Sequence, residues 1–264
     1  MGKRTILGCL IASTLAISFA GPAMADDGTL AHVRVAYIDV TGQDTPIYGI
    51  DQGLPPLNTS EMYFAGPGFI PQISAYHDSG DYQAGQEAVA RAAQRYLTSY
   101  LREHCPVAGR CADGRKAAAV FDIDDTLLSS YDAYVQAQFG PSEQQIQSLQ
   151  VNCQQTLIPS TKALLDAARA RKVRVFLITG REESLRAATK ACLARYGISG
   201  WQELIMREPD QQSLTALQYK SAARARIERQ GYRIITSIGD QISDSAGGHA
   251  ERGFLLPNPM YFIP

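Results

Sequence analysis

A short apolar run, Ala117 to Phe121, leads straight into Asp122-Ile123-Asp124-Asp125-Thr126. The run has the length and composition of a buried parallel strand. Alternation along a strand puts Asp122 and Asp124 on the same side. In open α/β sheets, ligands bind at the carboxyl ends of the strands, where these acids would sit. Carboxylates packed together repel each other unless a cation or a proton intervenes. Hard divalent cations such as magnesium favour oxygen ligands of this kind. One aspartate could then attack a phosphorus atom while the other moves the proton. A solvated acidic turn would look the same in isolation, so the weight falls on the other strand ends.

Those ends carry matching chemistry. A second apolar strand, Val173 to Ile178, runs into Thr179-Gly180-Arg181. A threonine hydroxyl and the free N–H groups of a glycine turn before a helix can hold phosphate, although Thr is also an ordinary helix cap. A third strand, Tyr232 to Ile238, runs into Gly239-Asp240-Gln241-Ile242-Ser243-Asp244 and adds two carboxylates. Between them, Lys220 lies in Tyr219-Lys220-Ser221. A helix lysine is usually solvated. Here its charge could offset the excess of acids and grip a phosphoryl oxygen.

The elements that must position these residues follow from periodicity. Residues 83–103 have a helical pattern, with Val89, Ala92, Ala93, Tyr96, Leu97 and Leu101 on one face. Helices are expected over 161–171, 182–196 (stopped by Gly197) and 215–230 (capped by Gly231), with a short strand at 203–206. Between the first two motifs, 131–157 carries Tyr131, Tyr134 and Phe139 and then a Gln-rich helical stretch. The two tyrosines could stack on a nucleotide base or an aromatic alcohol, or pack an accessory helix onto the core. Strand–helix alternation from 117 onward predicts an α/β fold, a doubly wound parallel sheet with helical N-terminal and inserted accessory segments. Residues 32–40 alternate weakly like a strand, and 41–72 look like a long irregular excursion that wraps the domain or lines a site. His77 and Asp78 read as ordinary surface residues.

The chain has 264 residues and a formal charge of −1, with no basic block. Nothing in it points to nucleic acid polymers or anionic membranes. Lys3 and Arg4, an apolar stretch from Ile6 to Ala20 and Ala23-Met24-Ala25 form the pattern of a signal peptide over 1–25. The apolar stretch is short for a membrane anchor. Ile6-Leu7-Gly8-Cys9 resembles a lipid-attachment box, but Cys9 comes too early to leave an apolar segment before it. The expectation is an exported chain, periplasmic or secreted, in which 26–264 form one domain and 26–115 are an N-terminal extension packing on its core. Four cysteines then meet an oxidising compartment: Cys105, Cys111, Cys153 and Cys192. They allow three complete pairings. Cys105 and Cys111 flank a five-residue turn, which favours that bridge, and Cys153–Cys192 follows by elimination. Cys192 also lies in line with Leu185 and Ala188 and could be a buried free thiol.

Taken in order, Asp-x-Asp-x-Thr, Thr, Lys and Gly-Asp-x-x-x-Asp resemble the haloacid dehalogenase (HAD) superfamily of phosphotransferases. Phe121 to Ser130, Tyr219 to Arg224, Gly239-Asp240-Gln241, Asp244 and the tail Leu256-Pro257-Asn258-Pro259-Met260-Tyr261 look like the class B acid phosphatases. That family includes plant acid phosphatases, vegetative storage proteins and bacterial lipoprotein acid phosphatases. The resemblance covers about 117–262 and does not extend over 26–80. Plant members often have an aromatic after Gly-Asp-Gln, where this chain has Ile242.

The resemblance implies a HAD-like, Rossmann-type fold and a magnesium-dependent acid phosphatase. Asp122 would be the nucleophile that forms an aspartyl-phosphate. Asp124 would protonate the leaving alcohol and then activate water. Thr179, Gly180 and Lys220 would hold the phosphoryl group. Mg²⁺ would bind Asp122, the backbone carbonyl of Asp124 and Asp240, with Asp244 directly or through water. The implied partners are small phosphomonoesters such as nucleotides or aryl phosphates; the short leader and the early Cys9 add the expectation of no stable membrane anchor. The alternatives are a phosphotransferase of the same superfamily and a non-catalytic storage or binding relative. A dehalogenase is disfavoured, because it has no alkoxide for Asp124 to protonate.

Overall fold

A computed structural model describes residues 35–38, 45–50 and 62–263. The expected leader over 1–25, Cys9, and much of the stretch from 26 to 61 lie outside the described residues. In chain order the elements are β1 (Ala36–Ile38), β2 (Ile47–Gly49), β3 (Tyr63–Phe64), α1 (Ile70–Asp78), α2 (Asp81–His104), β4 (Lys116–Phe121) and β5 (Leu128–Ser129). They continue with α3 (Tyr131–Gln136), α4 (Glu143–Val151), β6 (Thr156–Leu157), α5 (Pro159–Ala170), β7 (Arg174–Glu182) and α6 (Arg186–Arg195). The last are β8 (Glu203–Arg207), α7 (Ala216–Arg229), β9 (Tyr232–Gly239), β10 (Arg252–Leu255) and β11 (Tyr261–Phe262).

Seven strands form the main sheet in the order β1-β2-β10-β9-β4-β7-β8. All neighbours are parallel except β1 on β2. The reason for two covered faces is visible in β4. Ala117, Ala119 and Phe121 face a core built with Val89, Ala93 and Leu97 of α2 and Leu164 and Leu165 of α5. Ala118 and Val120 face a second core with Tyr219, Ala223 and Ile227 of α7. Both sets must be buried, so the strand is apolar throughout.

A third cluster caps the carboxyl ends of the strands. It joins Ile73 of α1, Tyr131 and Tyr134 of α3, Phe139, Leu149 of α4, and Met260 and Tyr261 of the tail. The insertion that carries α3 and α4 is closed at its base by antiparallel pairing of β5 with β6. Cys105–Cys111 and Cys153–Cys192 are both disulfides. The second ties the end of α4 to α6, so Cys192 is not a free thiol.

The structure corrects several boundaries. β7 runs on to Glu182, where Glu182 pairs with Arg207 after a register shift, so the helix expected from 182 begins only at Arg186. The stretch expected to be irregular holds β2, which joins the main sheet beside β10, and β3, which pairs with β11. The N-terminal extension thus contributes strands to the sheet as well as packing on it. These strands are two or three residues long, too short to show a period of their own.

Candidate active site

The turn after β4 is built to present its acids. The Asp122 N–H donates to Ile238 O (2.9 Å), which locks the end of β4 to β9. Leu127 and Leu128 N–H both donate to Ile123 O, closing the turn. Asp125 takes a left-handed conformation at φ 51°, and its N–H donates to Leu128 O. A short polar side chain tolerates that region better than most. The Asp125 carboxyl is fully buried, accepting from Ser130 N–H (2.8 Å) and the Tyr261 hydroxyl (2.9 Å). Burial, reinforced by Asp240, pushes it up to about 8.

Asp122, Asp240 and Asp244 each offer an oxygen within 4.8 Å of the others, and all three are buried. Lys220 stands among them. Its Nζ donates to Asp122 Oδ1 (2.9 Å) and to Asp244 Oδ1. Asp240 accepts from Gln241 Nε2 (2.6 Å), Asn258 Nδ2 (2.6 Å) and Thr126 Oγ1 (3.3 Å). Burial pushes Asp122 well up despite Lys220, and pushes Asp240, beside Asp244, to about 6. One lysine therefore does not offset three crowded acids. Hard, buried, convergent oxygens suit a divalent cation of the magnesium type.

The loop that carries Asp244 has its own support. Arg224 is fully buried and donates to the carbonyls of Ser243 (3.3 Å), Asp244 (2.7 Å), Ala246 and Gly248 (3.0 Å). Burial lowers it to about 10. Gly239 is required for space, because a Cβ there would lie 2.0 Å from Asp244 Oδ2.

Asp124 is turned away from that acidic group. Arg181 Nε donates to its Oδ2 (3.0 Å) and Nη2 to its Oδ1 (2.8 Å), with Gln155 Nε2 on Oδ1 (2.8 Å). Burial alone would raise this carboxyl, but the Arg181 guanidinium and its hydrogen bonds override burial and hold it below the usual carboxylate range. Thr179 is buried, with its hydroxyl 3.5 Å from Asp124 Oδ2 and accepting from Arg181 N–H. Gly180 is exposed on the wall of a cavity of about 640 Å³ that also contains Asp122, Asp124, Lys220 and Asp240.

Asp122, Asp124, Thr179, Gly180, Lys220, Asp240 and Asp244 therefore converge at one end of the sheet. Sequence reasoning missed Arg181, Gln155, Arg224 and Asn258 as site-building residues. Arg181 stands next to Gly180, so its position carried a signal; Gln155 lies in a Gln-rich stretch and carried none. Tyr131 is not free for a base, because His77 stacks on it at 3.7 Å and 7°. His77, expected to be an ordinary surface residue, is thus a packing partner of the cap.

A doubly wound sheet with aspartates at adjoining strand ends and a lysine between them defines the HAD class. Residues 68–264 match the family described as HAD superfamily, subfamily IIIB (Acid phosphatase). The chain belongs to that family. Curated relatives include acid phosphatase 1 of Solanum lycopersicum, 36% identical over 155 residues (57% of this chain, 60% of that protein). The stem 31 kDa glycoprotein of Glycine max is 36% identical over 149 residues (54% and 59%), and vegetative storage protein 1 of Arabidopsis thaliana 32% over 149 residues (55% and 55%). The chain spans about 60% of the length of the first of these relatives. Among solved structures, the class C acid phosphatase from Bacillus anthracis has the same fold: TM-score 0.59, 19% identity, covering 74% of this chain and 87% of that one. Among the described residues, no helix is long and apolar enough to cross a membrane.

Proposed function

We propose that the protein is an exported, magnesium-dependent acid phosphatase that hydrolyses small phosphomonoesters through an aspartyl-phosphate. The observation that carries this reading is Lys220, buried between Asp122 and Asp244 at the floor of an open cavity. A buried cation beside a buried carboxylate can receive an anionic phosphoryl group that the acids alone would repel.

Asp122 attacks phosphorus and the ester oxygen leaves. Lys220, the Thr179 hydroxyl and the turn at Gly180 hold the phosphoryl oxygens. Phosphoryl transfer depends chiefly on such positioning and charge stabilisation. Asp122, the carbonyl of Asp124 and Asp240 would hold Mg²⁺, with Asp244 directly or through water. Bound there, the ion would neutralise charge between the nucleophile and the phosphate. Asp124 gives the leaving alkoxide its proton and then takes one from the attacking water. Arg181 favours the ionised form of Asp124, so the share ready to donate grows as pH falls. This supports an acidic working range. The family and the two disulfides support an exported phosphatase. The signal peptide over 1–25 and the single domain over 26–264 are part of the same proposal.

The test uses para-nitrophenyl phosphate. Chelation should silence hydrolysis and Mg²⁺ restore it. Asp122→Asn is nearly isosteric but cannot attack, so turnover should fall far below wild type. Retention of a tenth of kcat, a barrier change of only about 1.4 kcal/mol, would falsify the covalent route. Full activity after exhaustive chelation contradicts the metal assignment.

A further inference from the structure

α4 presents three glutamines to the cavity that also holds the acids. Gln144, Gln147 and Gln150 recur every third residue and all line the cavity. Residues at this spacing are neighbours on a helix surface. Among the described residues, none of the three has a hydrogen-bond partner. Their platform is held at several points. Ser142 and Gln145 form a capping box at the start of α4, Leu149 is buried in the cap cluster, and the Cys153–Cys192 disulfide anchors the chain just beyond its end. Three unpaired amides offer donors and acceptors from a braced helix backbone.

The rest of the rim narrows what can meet them. Aromatic stacking is not on offer among the described residues. Tyr134 is buried with its ring edge-on to Phe64 and Tyr261, and Tyr131 is covered by His77. A second phosphate is not favoured either. Glu143 and Glu182 line the same cavity, Lys220 and Arg181 are committed to the aspartates, and Arg207 lies over Tyr219 with its Nη1 on the carbonyls of Gln211 and Leu214. Hydroxyl groups suit this surface, because they accept from amide N–H groups and donate to amide or carboxylate oxygens.

We infer that the α4 glutamine face selects phosphomonoesters of uncharged, polyhydroxylated alcohols, sugar and polyol phosphates, over aryl, alkyl or multiply phosphorylated esters. The inference rests on the phosphatase reading above and assigns its leaving-group specificity.

The test compares esters of similar primary alcohols, so that leaving-group chemistry is nearly constant. Glucose 6-phosphate should exceed n-hexyl phosphate in kcat/KM by about tenfold, the value of one to three hydrogen bonds made to the alcohol. In Gln147→Leu/Gln150→Leu the ratio should fall toward one, with unchanged circular dichroism and melting showing that α4 still folds. Gln147→Asn/Gln150→Asn keeps the amides and should restore part of the preference. Equal or faster turnover of n-hexyl phosphate or of fructose 1,6-bisphosphate by the wild type overturns the inference. So does a ratio unaltered in the leucine variant. Absence of turnover on every ester, para-nitrophenyl phosphate included, overturns the phosphatase reading itself and this inference with it.

Discussion

Arg224 should govern the metal site without touching the metal. Its guanidinium has no carboxylate partner among its hydrogen bonds; all four acceptors are carbonyls of the loop from Ser243 to Gly248. That loop carries Asp244 and sits against the Gly239 turn that leads to Asp240. Arg224→Met keeps much of the volume of the stem and removes every donor. Charged hydrogen bonds contribute about 1.5–3 kcal/mol each, but the variant also sheds the cost of burying a cation, and the two partly cancel. A net loss of about 3 kcal/mol follows, which for a domain of this size lowers Tm by roughly 6–12 °C. Freed carbonyls let the loop relax, so Asp244 is no longer fixed beside Asp122. Loss of such an orienting partner typically weakens metal binding about 10–100-fold. Melting followed by fluorimetry and the Mg²⁺ concentration for half-maximal activity report the two effects separately. Arg224→Lys keeps the charge but not the four-way reach, and should fall between. A fall in Tm with an unchanged metal requirement would show that Arg224 holds the fold and not the ligand; no fall in either would refute the reasoning entirely.

The other expectations are shorter. Asp124→Asn should slow single-turnover hydrolysis of an alkyl phosphate about 10²- to 10⁴-fold, and para-nitrophenyl phosphate much less, because para-nitrophenolate needs no proton to leave; equal losses on both esters would assign Asp124 a structural role. Asp125 and Asp240 have raised folded-state values, about 8 and about 6. Their contribution to stability is complete below the unfolded carboxylate range near 4 and is lost as pH rises through those values. Metal-free protein should therefore melt lower at pH 8 than at pH 5, and Mg²⁺ should narrow the gap; thermal melts across pH with and without chelator decide it. Reduction of Cys153–Cys192, which closes a loop 39 residues long, should cost about 4 kcal/mol. Alkylation and mass spectrometry of unreduced protein should find all four of Cys105, Cys111, Cys153 and Cys192 protected.

Strand-end chemistry was readable in the chain because it is contiguous. An apolar run of fixed length ending in Asp122 and Asp124, or in Gly239 and Asp240, states both the element and its functional tip within ten residues. The same holds for β4, β7, β9 and the helices α2, α5 and α7, whose periodicity is set by the two cores they must fill. Folding decided what those tips face. Asp124 and Arg181 are 57 positions apart, and Lys220 and Asp122 are 98 apart. No local pattern records that the first pair forms a two-pronged ion pair, or that the second closes over Asp244. The short strands β2, β3, β10 and β11 escaped for a related reason. They are held by neighbours already in place, as β2 is by β10 and β3 by β11, and not by any period of their own. Arg224 and the α4 glutamines look like solvated helix residues in the chain. Only the packing of α7 under the 243–248 loop, and of α4 beside the cavity, turns one into a buried clasp and the others into part of the cavity lining. Hydrogen-bond geometry between distant segments depends on the relative placement of whole elements, which is settled by the summed burial of many side chains.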